Sequence, residues 1–227
     1  MLYLVSTPIG NLKDITFRAT EILKEVDEII CESTYKGNIL LNHYQIKKPL
    51  IHLTDENQLQ VLPKILEKLK QGKKLALISD AGTPTLSDPG QFLVKRVIKE
   101  NIKIVPVPGP SAVLSALITS GLSTSPFLFL GFLPKNLSQK QKIFQEISKL
   151  KIGKKTPSII FFESPQRIIK TLEILNQINP KTRISLAREM TKIYEEFLRG
   201  NVDEVLKILK QRKEIKGEIT VVFKINN

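Results

Sequence analysis

Short apolar runs rich in β-branched residues recur along this chain of 227 residues: "LYLVS", "EIIC", "KLALIS", "IKIVPV", "FLFLGF", "SIIFF", "RISLA" and "ITVVF". Each is four to six residues long and bounded by polar or turn-forming residues, which predicts a strand. Between most of them the apolar positions change to helical spacing. The spacing predicts helices over Ile15 to Lys24, Leu59 to Leu69, Phe92 to Lys99, Ala112 to Leu117, Ile143 to Leu150, Ile168 to Leu175 and Val205 to Leu209. Strand and helix in alternation imply an α/β architecture, with largely parallel pairing in the first half.

One stretch breaks the rhythm. Residues 106 to 127, "PVPGPSAVLSALITSGLSTSPF", carry Pro, Gly and Ser on both sides of one short helix, which suits a turn from one lobe to another. We place the boundary near Gly121, giving an N-terminal lobe of residues 1–120 and a C-terminal lobe of residues 121–227. The chain length accommodates two such lobes. No internal repeat or low-complexity tract accompanies them.

Composition narrows the class without changing that picture. Apolar residues make up 41% and charged residues 25%, as in a globular chain that buries a core. No apolar run approaches the roughly 18 residues needed to cross a bilayer, and "MLYLVSTPIG" lacks a basic leader and a cleavage site. A cytoplasmic protein without membrane partners is expected. One cysteine, Cys31, excludes an internal disulfide, and two histidines beside it make a poor ligand set, so no metal is expected.

Charge adds a direction. The formal net charge is +13. Residues 1 to 108 hold 15 basic and 12 acidic groups, residues 109 to 227 hold 20 and 10, so the second half is the basic one. A polyanion partner is one reading, since neutralised phosphates release counterions; a lysine-rich soluble surface is the other. Residues 135 to 155, with seven lysines and one glutamate, are the densest basic segment and read as an RNA-guiding edge or a solvent-facing helix.

Three loops follow directly on predicted strands: "STPIGN" (6 to 11), "SDAGTPTLSDPG" (79 to 90) and "PVPGPSA" (106 to 112). In open α/β sheets ligands bind beyond the carboxyl ends of the strands, so these loops are candidates to converge on one crevice. Glycine and proline let backbone groups approach a ligand in fixed geometry, while Ser79 and Asp80 offer a hydroxyl and an acceptor. Neither a phosphate-binding "GxxxxGK[ST]" nor a "GxGxxG" is present. The donor set suits a ligand bearing amines, hydroxyls or a cationic centre. Ser87 and Asp88, before Pro89, read instead as a helix cap.

These loops, with "FLGFLP", "FFESPQR", "LAREMTKIYEEFLRG" and "KGEITVVF", resemble the tetrapyrrole-methylase-like S-adenosylmethionine enzymes, and within them the ribosomal RNA small-subunit methyltransferase I group. The likeness covers nearly the whole chain in order. It implies two α/β lobes, the first with a mainly parallel and the second with a mixed sheet, S-adenosylmethionine in a cleft between them, and a homodimer. It also implies 2′-O-methylation of a cytidine in the decoding region of 16S rRNA, either free or in the small ribosomal subunit. For the cofactor it points to Pro8, Asp80, Gly82, Thr83, Ser111 and Ala112, and further along the chain to Phe162, Glu163, Ala187, Gly217 and Glu218. Near the acceptor it points to Asp14, Arg18, Arg188, Glu189 and Lys192.

Other readings stand beside these. Asp14 and Arg18, four apart, would form a surface ion pair if one helix carried both, and Arg188 with Glu189 would make an interlobe clamp. Glu195 and Glu196 read as a solvated face. The family's acidic-aspartate-threonine-arginine run after the second strand is replaced by "CESTYKGN", with Ser33 and Tyr35 at two of its charged positions, and Gln166 stands where histidine is common. A catalytically weak RNA-binding or ribosome-assembly module, and a small-molecule methylase of the same fold, are therefore the alternatives.

Overall fold

The computed structural model describes residues 1–225 and divides into two compact units, Met1–Ser111 and Ala112 onward. In the first, β1 (Leu2–Val5), α1 (Phe17–Glu25), β2 (Glu28–Cys31), α2 (Thr34–His43), β3 (Leu50–His52), α3 (Gln58–Lys70), β4 (Leu75–Ile78), α4 (Gln91–Lys99) and β5 (Ile104–Val107) alternate. The strands form one sheet in the order β3-β2-β4-β1-β5, parallel at every pairing.

Successive strand residues point to opposite faces, and here both faces are covered. Tyr3, Val5, Ile29, Cys31, Ala76 and Ile78 pack with Ala19, Leu23 and Leu41 from α1 and α2. Leu2, Ile30, Leu75 and Leu77 pack with Leu62, Ile65, Leu93 and Val97 from α3 and α4. The apolar, unalternating "LALI" of β4 is therefore what a central parallel strand requires.

The second unit contains α5 (Ala112–Thr119), β6 (Phe127–Phe132), α6 (Leu137–Ser148), β7 (Ser158–Glu163), α7 (Ile168–Ile178), β8 (Arg183–Arg188), β9 (Glu196–Asn201), α8 (Val202–Lys210) and β10 (Ile219–Lys224). Its sheet, ordered β6-β7-β10-β8-β9, is mixed: β6 and β7 run parallel and the other pairings are antiparallel. The main core joins Ile159, Phe161, Leu186, Val221 and Phe223 to Phe144, Leu172, Leu175, Val205 and Leu209 of α6, α7 and α8. Phe144, Phe161 and Phe223 meet with ring centroids 5.6 to 6.0 Å apart. Helix α5 packs against β7, β8 and β10, so the division falls before this helix and not after it at Gly121.

Four elements depart from the periodicity. Helix α2 carries Gly37 in its middle, where an added Cβ would lie 3.3 Å from Cys31 Sγ, so packing against β2 selects a residue that helix propensity disfavours. Strand β3 has only three residues, and β9, "EFLRGN", is partly exposed throughout. Helix α6 begins at Leu137, six residues before the first apolar repeat, because the Asn136 side chain caps it by accepting from Gln139 N–H at 3.0 Å.

Candidate functional site

In the first unit the loops after β1, β4 and β5 are tied to one another. Thr7 N–H donates to Gly82 O (2.8 Å) and Gly82 N–H to Thr7 O (3.0 Å), a short antiparallel bridge between the first two loops. The buried Thr7 hydroxyl donates to Ser79 O (3.1 Å), and the Ser79 hydroxyl to Gly82 O (3.1 Å). Thr83 completes the lacing: its Oγ1 accepts from the Ser6 hydroxyl (3.3 Å) and donates to Pro110 O (3.3 Å). Gly82 stands at φ +82°, and a Cβ there would press within 3.3 Å of Ile9 Cγ2. A glycine is needed both for the left-handed backbone and for the close approach.

The acidic side of this edge comes from β2 and the 79–90 loop. Asp80 Oδ1 accepts from Ser33 N–H (3.2 Å) and Oδ2 pairs with Lys36 (2.9 Å). Ser33, a departure from the family pattern, also caps α2 by accepting from Lys36 N–H (3.3 Å). Tyr35 is exposed. Burial, with Glu32 and Asp80 nearby, pushes the Asp88 carboxyl up to about 7. The same two influences, burial and Asp80, raise Glu32 and push the Cys31 thiol up to about 11. Asp88 does not cap α4, whose N-cap is Gly90 at φ +115°; a Cβ at that position would sit 2.6 Å from Leu77 Cδ2. The helix must start on a glycine, so the Ser-Asp-Pro signal is overridden.

Asp14 and Arg18 do not share a helix. Asp14 ends a 3-10 turn, Leu12–Asp14, whereas Arg18 lies in the first turn of α1 behind its cap Thr16. Arg18 donates to Pro106 O (3.1 Å), tying α1 to the end of β5. Pro8 is buried beside the Thr7 bridge, and Ser111 and Ala112 follow Pro110 into α5.

The candidates of the second unit gather at one end of its sheet. One row of paired residues runs Glu163, Ile219, Arg188, Glu196 across β7, β10, β8 and β9, and the next runs Phe162, Thr220, Ala187, Phe197. Phe162 has the rings of Phe129 and Phe132 at 5.0 and 5.4 Å. Glu189, in the left-handed region at φ +52°, accepts from Glu218 N–H (2.8 Å) and Lys192 Nζ (2.9 Å), and Lys192 also reaches Glu218 (3.0 Å). Burial opposes both charges, but these bonds outweigh it: Glu189 is held below the usual carboxylate range and Lys192 above the usual amine range.

Arg188 pairs with Glu196 (3.0 Å) and donates to Lys216 O (3.1 Å). Glu196 also binds Arg212 through both guanidinium nitrogens, with Nη1 at 2.8 Å. That bond first, and then the one from Arg188, take the Glu196 carboxyl down to about 2 against some burial. Glu196 is thus a two-arginine anchor and not a solvated face.

Glu163 is engaged on all sides. Its Oε2 receives Lys140 Nζ (2.6 Å) and the Thr171 hydroxyl (2.7 Å), while Oε1 receives Ser164 N–H (2.9 Å) and Arg167 Nη2 (2.6 Å). Lys140 belongs to the basic 135–155 segment, yet it is fully buried. Lys140, Thr171, Glu196, Arg212 and Lys36 are the residues that motif reading missed. Lys140 had a signal: it precedes Phe144 by four and Ile147 by seven, the apolar stripe of α6.

A family model described as Tetrapyrrole (Corrin/Porphyrin) Methylases matches residues 1–206. A protein named ribosomal RNA small subunit methyltransferase I from Hydrogenobaculum sp. is 44% identical over 227 residues, covering 100% of this chain and 96% of that protein. One of the same name from Thermotoga maritima is 45% identical over 222 residues, 98% and 97% of the two chains. Among solved structures, uroporphyrin-III C-methyltransferase from Thermus thermophilus complexed with S-adenyl homocysteine superimposes with a TM-score of 0.65 at 14% identity, over 97% of this chain and 96% of that one.

Proposed function

The chain belongs to the tetrapyrrole methylase family, in its ribosomal RNA small subunit methyltransferase I group, and from this premise we propose that it transfers a methyl group from S-adenosylmethionine to small-subunit rRNA. The finer reading is 2′-O-methylation of a cytidine in the decoding region of 16S rRNA, by a cytoplasmic homodimer. Among the described residues no helix is long and apolar enough to cross a membrane. The outer strand β6, with Phe127, Leu128 and Phe132 exposed, supports self-association of two copies.

The observation that carries the proposal is the lacing of three loops around Gly82 at the carboxyl ends of β1, β4 and β5. The groups there fit the cofactor's chemistry. Backbone carbonyls and the Asp80 carboxylate suit an ammonium, ribose hydroxyls and a sulfonium, and the edge lacks the phosphate-cradling motifs. Asp80, Gly82, Thr83 and Pro8 would hold it, with Ser111 and Ala112. Phe162, Ala187, Gly217 and Glu218 are assigned with them by family likeness. Glu163 serves through its own network, because its side chain is fully buried and each carboxylate oxygen already accepts two bonds. When bound, the cofactor supplies an electrophilic methyl group.

The chain's own contribution is alignment and proton handling. Methyl transfer is an in-line displacement, so a ribose hydroxyl must be held on the axis and lose its proton as the bond forms. Lys192, kept protonated by two carboxylates, serves as a hydrogen-bond donor and not as a base. Arg188, fixed by Glu196, offers the same kind of cationic donor, and Glu189 holds Lys192 in place. Asp14 and Arg18 are assigned to the acceptor side. A carboxyl that titrates at neutral pH, as Asp88 does, matches a general base.

Calorimetry with S-adenosylmethionine should give saturable binding, and transfer of labelled methyl to transcribed or particle-bound small-subunit rRNA should place one ribose mark on a cytidine. An absence of cofactor binding would overturn the enzyme reading. Unchanged ribose marks in cells lacking the gene would overturn the cytidine assignment alone.

A further inference from the structure

Lys140 presents a puzzle that the reaction does not use. An ammonium with no exposed surface is expensive to bury, and a buried ion pair is in general no more stabilising than apolar residues of the same volume. Stability is therefore a poor reason for it. Its geometry suggests another: the Glu163 carboxylate is held from behind by Lys140 and Thr171 and holds, in front, the turn between β7 and α7. Lys140 Nζ also donates to the Thr171 hydroxyl (2.6 Å), closing a three-residue ring. With both oxygens occupied on opposite sides, the carboxylate cannot rotate without breaking buried bonds.

What the ring holds still is Arg167. Its Nη2 binds Glu163 and its Nε donates to Ser164 Oγ (3.0 Å), so two of the five guanidinium N–H groups are directed inward and Nη1 is left for a further acceptor. The Arg167 side chain is 25% exposed, against 0% for Glu163, so it is the outward-facing member of the cluster. Its partner Glu163 shares one paired row with Arg188 and Glu196 at that end of the sheet.

We propose that Arg167 contacts a phosphate of the RNA substrate and that Lys140, Glu163 and Thr171 are positioning residues that fix its guanidinium for that contact. The inference rests on the RNA reading given above. An arginine already gripped on one edge loses little freedom on meeting a phosphate, whereas the exposed lysines of the 135–155 segment supply attraction without fixed geometry.

The test is direct binding of transcribed small-subunit rRNA, read by filter retention over a salt series, with thermal unfolding in parallel. R167A should weaken binding roughly fivefold at low salt and lower the slope of log Kd against log salt by about 0.7 to 0.9, the loss of one phosphate contact. R167K, which keeps the charge but not the fork, should retain the slope and lose part of the affinity. T171V should weaken RNA binding two- to threefold, T171S should restore it, and T171V should have no further effect on affinity in the R167A background. A purely structural ring would lower the melting temperature in both backgrounds and leave RNA affinity unmoved, which overturns the proposal. So would an R167A protein with wild-type affinity and slope. Neither result depends on methyl transfer: loss of the wild-type methylation signal with the Arg167 effects intact would sink the enzyme reading and spare this one.

Discussion

Gly217 offers the sharpest test of the sheet-end geometry. It sits at φ +91°, and a Cβ there would lie 2.4 Å from Glu189 Cγ and Cδ and 2.5 Å from Oε1, contacts that cannot persist. Gly217→Ala therefore carries two penalties. The left-handed backbone costs an L-residue about 1–2 kcal/mol. Expelling the Glu189 side chain breaks its bonds to Glu218 N–H and Lys192 Nζ, about 1 kcal/mol each at a partly exposed site. The sum is about 3–4 kcal/mol. Gly153, also in the second unit and at φ +62°, has nothing within 4 Å of an added methyl, so Gly153→Ala carries the backbone term alone, about 1–2 kcal/mol. Urea unfolding of both variants should separate them by about 2 kcal/mol. Glu189→Ala removes the three atoms nearest the new Cβ, so in that background the excess cost of Gly217→Ala should vanish. Equal costs for the two glycines, or an excess that survives Glu189→Ala, would refute the packing argument.

Asp88 has a folded pKa of about 7, above its unfolded value, so its contribution to stability is complete below about pH 4 and is lost as pH rises through 7; Asp88→Asn should remove that part of the decline in a pH series of melting curves. Glu196 behaves oppositely: depressed to about 2, it stabilises above its unfolded pKa near 4.5 and loses that contribution as pH falls, and Glu196→Gln should flatten the acid limb while loosening Arg188. Asp80→Asn should weaken S-adenosylmethionine binding about tenfold by calorimetry with little change in melting temperature, because its Lys36 partner is largely exposed. Replacing Lys142, Lys149 and Lys151 by Gln should lower the salt slope of RNA binding by about 2 to 3 without changing cofactor affinity; an unchanged slope would remove the 142–151 segment from the RNA-facing surface.

The first unit was more legible in the sequence than the second. A parallel sheet covered on both faces writes itself as unbroken apolar runs, and loops that follow such strands are placed by topology, so residues 6–11, 79–90 and 106–112 could be named together from the pattern alone. What could not be read was the pairing inside the loops. Thr83 binds both Ser6 and Pro110, and nothing local to "AGTPT" encodes partners 77 and 27 residues away. Local signals also lost where packing had a stronger claim, as at Gly90, where the crowding of Leu77 overrules a good capping sequence. In the second unit, family likeness named Glu163 for the cofactor and Arg188 and Glu189 for the acceptor side, but the residues that hold them, Lys140, Thr171 and Arg212, lie on helices or loops and carry no motif.

The net charge of the second half, read as one quantity, merges two kinds of cation. Lys140, Arg188, Lys192 and Arg212 are each bound to a carboxylate at the sheet end, so their charge is locally cancelled and contributes geometry. On both sides of α6 and within it, Lys135, Lys142, Lys149, Lys151, Lys154 and Lys155 are exposed, and among the described residues no carboxylate pairs with them. Those lysines create the long-range field. Polyanion attraction falls steeply with salt, whereas bonds within a partly buried cluster are screened far less. Capture of RNA and alignment of the reacting ribose should therefore separate in salt: rising ionic strength weakens capture first and leaves the aligned complex, once formed, close to its low-salt rate. On the proposed reading the two functions fall to different basic residues of the same unit, so total charge points to a partner and gives no information on where the chemistry occurs.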